Sequence, residues 1–131
     1  MKTVLTAEES AATTGQHRWG TLSWLASAEL QNTAHTAMAY VVIRQGQQNP
    51  RHRHNTCEEL LHLLQGQLTH SVGDETHTLT AGDTITIPAG AFHHAVNIGD
   101  EDAHMIVVYA TAARDFELEA DVLAKGSDHD G

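Results

Sequence analysis

The stretch that decides the fold spans residues 46–66: Gly46-Gln47-Gln48-Asn49-Pro50-Arg51-His52-Arg53-His54-Asn55-Thr56-Cys57-Glu58-Glu59-Leu60-Leu61-His62-Leu63-Leu64-Gln65-Gly66. In extended backbone, side chains repeat every second position, so His52 and His54 point together and Arg53 points away. A carboxylate, Glu58 or Glu59, follows within a short loop and opens an apolar run that reads as the next strand. Three ligands for a metal ion are thereby gathered from little chain. A second stretch, residues 82–97, supplies a matching histidine. It holds His93 and His94 side by side, and adjacent strand residues face opposite sides, so only one of the two turns inward.

Outward from these two stretches the chain breaks into short strands. Residues 19–25 hold two tryptophans and Leu22, and residues 36–44 are rich in β-branched and aromatic types. After the first stretch, Gln65-Gly66 separates residues 60–64 from 68–72 at hairpin spacing, and Gly73-Asp74 repeats the device before residues 75–80. Residues 84–87, 92–98 and 103–109 follow as further strands, with Ile87-Pro88-Ala89-Gly90 read as a type I turn. Short strands with turns about every 8 to 12 residues predict an all-β sandwich or barrel rather than βαβ units. The organisation expected is an N-terminal arm over 1–17, a barrel over 18–112, a short helix over 113–124 and a disordered tail over 125–131.

The chain has 131 residues, one domain's worth, and seven basic against seventeen acidic residues give a net charge of -10 with histidine neutral. That balance repels phosphate backbones and anionic bilayers, so neither nucleic acid nor membrane is an expected partner. The single cysteine, Cys57, rules out an internal disulfide, no apolar run approaches the roughly 20 residues needed to span a bilayer, and the N-terminus lacks the apolar region of a signal peptide. A cytoplasmic protein is expected. Eleven histidines are too many for one site of about four ligands, so spacing rather than count identifies the ligands.

Two motifs resemble those of the cupin superfamily. The pattern G-x5-H-x-H-x3,4-E-x6-G is matched by Gly46, His52, His54, Glu59 and Gly66, and G-x5-P-x-G-x2-H-x3-N by Gly82, Pro88, Gly90, His93 and Asn97. The short separation, residues 67–81, is similar to that of small microbial single-domain members. The resemblance implies a double-stranded β-helix, or jelly-roll barrel, with His52, His54, Glu59 and His93 binding one metal ion inside it. Only Glu59 keeps the six-residue distance to Gly66, which selects it over Glu58, and the same spacing selects His93 over His94. Three imidazoles and a carboxylate suit iron, manganese, zinc, nickel or copper rather than calcium and leave positions for water or substrate. Asn97 is read as a turn or backbone hydrogen-bonding residue, not a ligand.

Other residues carry weaker signals. Cys57 is a small loop residue in one reading and a soft ligand or reactive thiol in another. Tyr40, His62 and His104 are the candidate proton carriers, each weighed against a plain role in the barrel wall, as are His70, His77 and Tyr109. Arg51 and Arg53 are solvated, or offer charge to an anionic substrate at the mouth. Function does not follow from a barrel alone. The leading expectation is a metal-dependent small-molecule enzyme of dioxygenase type. The alternatives are a Lewis-acid carbohydrate isomerase, epimerase or lyase, and a non-catalytic metabolite binder. The resemblance also implies a homodimer, with the strand around Trp19 and Trp24 as its interface.

Overall fold

Strand β3 (Ala37–Ile43) shows the rule that builds the molecule: Ala37, Ala39, Val41 and Ile43 are buried, and Met38, Tyr40 and Val42 between them face the other way. The computed structural model describes residues 1–130, with side chains through Lys125. Around β3 lie α1 (Ala7–Ala11), β1 (Gly15–His17), β2 (Gly20–Ala26), β4 (His52–Arg53), β5 (Glu59–Gln65), β6 (Gln67–Val72) and β7 (Glu75–Thr80). The chain continues through β8 (Thr84–Ile87), β9 (His93–Asn97), β10 (Ala103–Tyr109), β11 (Glu117–Leu118) and α2 (Glu119–Asp130). All pairings are antiparallel, in one sheet of order β1-β2-β3-β10-β5-β8 and a second of order β11-β4-β9-β6-β7. The architecture is an all-β jelly roll with a short C-terminal helix.

Ile43, Leu63, Leu68 and Met105 fill the centre with almost no exposure. Each contributes about 1.5–3 kcal/mol relative to an exposed position. One glycine is dictated by packing, because a Cβ at Gly20 would stand 1.8 Å from the Val42 carbonyl oxygen across the β2–β3 pair. Asn97 ties three backbone groups: its amide nitrogen donates to the carbonyls of Ile43 and Glu101, and its oxygen accepts from Gly99. It closes β9 as a backbone hydrogen-bonding residue, one of the two roles its sequence position suggests.

Three boundaries differ from the sequence reading. Residues 1–17 are not a plain arm. Thr6 and Glu9 form a reciprocal capping box that starts α1, and the Ser10 hydroxyl donates to the Trp24 carbonyl, so the segment is docked on β2 and then adds β1 to the sheet. The expected helix over 113–124 begins only at Glu119, because Glu117 and Leu118 pair with Arg53 and His52 as a strand. Its backbone continues to Asp130 through most of the expected tail over 125–131, of which Gly131 lies outside the described residues. The turn after β8 is shifted by one residue: the Ala91 amide donates to the Pro88 carbonyl at 3.3 Å, with Gly90 at the third position and φ 82°. That is the place where a type II turn needs a positive φ.

Trp19 and Trp24 are partly buried and pack against the hydrophobic core. Among the described residues, no helix is long and apolar enough to cross a membrane.

Candidate metal centre

Strand β4 turns His52 inward and Arg53 outward, as a period of two requires, and the chain leaving it brings His54 back to the interior. His52 stands opposite His93 in the β4–β9 pair. Three imidazoles thus come from one sheet, while Glu59, the first residue of β5, reaches in from the other. All four side chains are buried, and one ligand atom from each lies within 4.8 Å of the rest. Glu58 is exposed, and His94 turns its Nδ1 to the Ser71 hydroxyl on the far side of the sheet.

Main-chain carbonyls fix the ring tautomers. The Nδ1 atoms of His52, His54 and His93 donate to the carbonyls of Pro50, Asp115 and Ala91 at 2.7, 2.6 and 2.9 Å. Each Nε2 is then a bare lone pair directed inward. His54 Nε2 and His93 Nε2 stand 3.1 and 3.3 Å from Glu59 Oε1, and all three atoms are buried without a hydrogen-bond partner. Lone pairs facing a carboxylate in a dry interior repel unless a cation lies between them. The residues therefore fit a metal ion, and the donors, three nitrogens and one oxygen, are those of a divalent transition metal.

The same geometry shapes the titration of the site. Burial alone would raise the Glu59 carboxyl; without an ion, His54 and His93 carrying a proton on the nitrogens that face Oε1 would hold it down to about 2. Desolvation, reinforced by the neighbouring His93, lowers His52 to about 3, so it is a neutral ligand at physiological pH.

A cavity of about 300 Å³ opens beside the cluster, lined by His52, Glu59 and His93 among the four. Its walls are mostly apolar, including Trp19, Leu22, Leu61, Met105, Tyr109 and Phe116. Tyr40, His62 and His104 are not among its lining residues. Tyr40 hydrogen-bonds His104 Nδ1 at 2.8 Å, and His62 meets the Thr84 hydroxyl, so the three candidate proton carriers are wall residues on the outer face of the larger sheet. Cys57 is buried in the hydrophobic core, and burial raises its thiol, which favours the reading of a small structural residue. Arg51 and Arg53 are engaged by Glu119 and Glu117.

Two groups that sequence reasoning did not place in the site lie in the cavity wall. His70, almost fully buried, stacks parallel to His93 with ring centres 5.8 Å apart, and its Nδ1 has no partner. Desolvation lowers it to about 4. The alternation Leu68-His70 was the available signal, since it puts His70 on the core face of β6. Arg114, beyond β10, has no such local signal.

A family model described as a cupin domain matches residues 39–109, just over half of the chain. The chain belongs to the cupin family. Polyketide synthase CurC of Streptomyces cyaneus is 32% identical over 69 residues, 53% of this cupin and 45% of that protein. Oxalate oxidase 1 of Hordeum vulgare is 29% identical over 86 residues, 60% of this chain and 43% of its own. A Lactobacillus farciminis oxalate decarboxylase, solved as its formate complex, superimposes with a TM-score of 0.78 at 25% identity, over 86% of this chain and 35% of that one. This cupin spans less than half the length of each of these relatives.

Proposed function

We propose that this cupin is a metal-dependent oxidoreductase that oxidises a small organic molecule with dioxygen. The observation that carries the reading is the set of three tautomer-fixed imidazoles and one carboxylate opening onto an apolar cavity. A bound ion would supply Lewis acidity and, if redox-active, a path for electrons. The chain's own part is to hold the ligands without protons, keep bulk water away and seat the substrate. The likeness to an oxalate oxidase supports the oxidative version. The walls argue for a larger and less polar substrate than oxalate, because Leu22, Met105 and Phe116 offer contact area and no hydrogen bonds.

An oxygen-electrode assay with iron-loaded protein tests this. Consumption with a diketone, thiol or catechol, lost in Glu59→Ala, supports the reading; no consumption with any of them counts against it.

A second reading, a Lewis-acid isomerase or cyclase, draws on Tyr109. Its phenol lines the cavity, and burial together with the Glu59 charge raises its pKa well above the usual range, so it stays a proton donor. The likeness to a protein named as a polyketide synthase points the same way. Tightly held zinc or manganese with substrate turnover but no oxygen uptake would select it. A carbohydrate substrate suits the apolar walls less well than a planar carbonyl compound.

A further inference from the structure

Arg114 is the only lysine or arginine among the described residues that line the cavity. Its guanidinium carbon lies 5.1 Å from the Trp24 ring centre, 5.2 Å from Tyr109 and 5.4 Å from Phe116. These rings hold the cation in place and accept none of its N–H donors in conventional hydrogen bonds. Its Nε is buried with no partner, and among the described residues the side chain enters no ion pair. Other arginines contrast with it: Arg51 and Arg53 are paired with glutamates, and Arg44 donates to the carbonyls of His17 and Arg18.

The neighbouring acids do not supply the missing acceptor. Asp115 spends both carboxylate oxygens on the amides of Asn55 and Thr56 and the Thr56 hydroxyl. Glu29 shares with Arg114 the wall of a separate depression but does not reach ion-pair distance. Glu59 faces the imidazoles.

Buried N–H groups are almost always satisfied, so a rigidly held guanidinium with a free buried donor beside an empty-walled cavity marks the place of an acceptor that the protein does not provide. The charge balance agrees. With a divalent ion bound, the single Glu59 charge leaves the ligand set at +1, and Arg114 adds a second positive charge at the same cavity. Within apolar walls such charges act strongly on a ligand. The planar fork of donors matches a carboxylate.

We propose that Arg114 receives the carboxylate of an organic acid whose apolar body lies against Leu22, Met105 and Phe116. This rests on reading the cavity as the substrate site of the metal-dependent enzyme, and it names the substrate class: a small apolar-bodied carboxylic acid.

The test is isothermal titration calorimetry of phenylacetate and its neutral isostere phenylacetamide, into zinc-loaded and into metal-free protein, comparing wild type, Arg114→Gln and Arg114→Lys. In zinc-loaded wild type the acid is expected to bind at least about tenfold tighter than the amide, as charge-assisted hydrogen bonds imply. Arg114→Gln is expected to erase that ratio by weakening the acid alone, with zinc content unchanged, and Arg114→Lys to retain part of it. Equal binding of acid and amide to wild type, a preference that survives in Arg114→Gln, or no binding of either at millimolar concentration overturns the proposal. If Arg114→Gln fails to fold by circular dichroism, the wild-type ratio and its reduction in Arg114→Lys decide. The metal-free arm needs neither ion nor turnover. An arginine-dependent acid preference there stands even if no oxygen is consumed, and its loss leaves the metal-dependent reading untouched.

Discussion

His54 and Asp115, 61 residues apart in the chain, are joined by a 2.6 Å hydrogen bond from the imidazole Nδ1 to a main-chain carbonyl. The Asp115 side chain is itself pinned by the Asn55 amide and by the Thr56 amide and hydroxyl, so the segment after β10 is laced to the loop that carries the ligands. Burial works against its charge, but those donors hold the carboxyl down to about 2. Asp115→Ala should free the carbonyl that orients His54 and weaken metal affinity roughly 10- to 100-fold, the usual effect of losing an outer partner. Competition against a chelator of known affinity measures it; unchanged affinity would show that the ring is fixed by packing alone.

His54→Ala, His93→Ala or Glu59→Gln each remove one of four donors. Each variant should be purified with far less metal than wild type. Wild type should melt roughly 10 °C or more higher with metal at about a thousandfold excess over its dissociation constant, and the variants should lose that gain. Elemental analysis and differential scanning calorimetry give the two readouts.

Metal-free protein should lose stability on acidification in two stages. His52 and His70, with ordinary values of 6.5, are lowered to about 3 and about 4 by desolvation, so between those values and 6.5 the unfolded chain binds protons that the fold refuses. Stability is therefore present above pH 6.5 and falls below it by roughly 1.4 kcal/mol per pH unit for each histidine. Glu59, lowered from 4.5 to about 2, adds a second loss as pH drops below 4.5. Urea midpoints from pH 7.5 to 4 would show the first stage, and a flat profile would contradict it.

Gly20→Ala should destabilise the fold by at least ~2 kcal/mol, since the new methyl meets the Val42 carbonyl and β2 must part from β3. Urea denaturation measures this, and a neutral outcome would mean that the edge of the larger sheet yields easily.

Tyr40→Phe and His62→Ala should leave metal content and ligand binding unchanged, because both residues stand outside the cavity wall. Loss of metal in either variant would mean that the outer face of the larger sheet is coupled to the centre.

The four candidate ligands were legible in the sequence because their geometry is local, with two histidines at strand period and a carboxylate a short loop later, and because the motif resemblance chose Glu59 over Glu58 and His93 over His94. Tyr40 and His104 were not, for a definite reason: in β3 and β10 both faces are apolar, so alternation alone does not say which set turns inward. His62 is different, since an inward Glu59 puts Leu61 and Leu63 inward and His62 outward on β5. Arg114 reaches the cavity through loop placement at long sequence separation, which no short spacing records, whereas for His70 the alternation with Leu68 along β6 carried the signal. The helix at the N-terminus is a different case, since Thr6-Ala7-Glu8-Glu9 spells its cap in the sequence.

On the strand that carries the first ligands, arginine and histidine alternate: Arg51, His52, Arg53, His54. A slip of one residue in its pairing would exchange inward imidazoles for guanidinium cations, and a guanidinium at the centre repels the ion that an imidazole attracts. Only the correctly paired chain gains the free energy of coordination. A bound ion would thus act as a proofreader of strand alignment, rewarding one register and penalising its neighbours during folding.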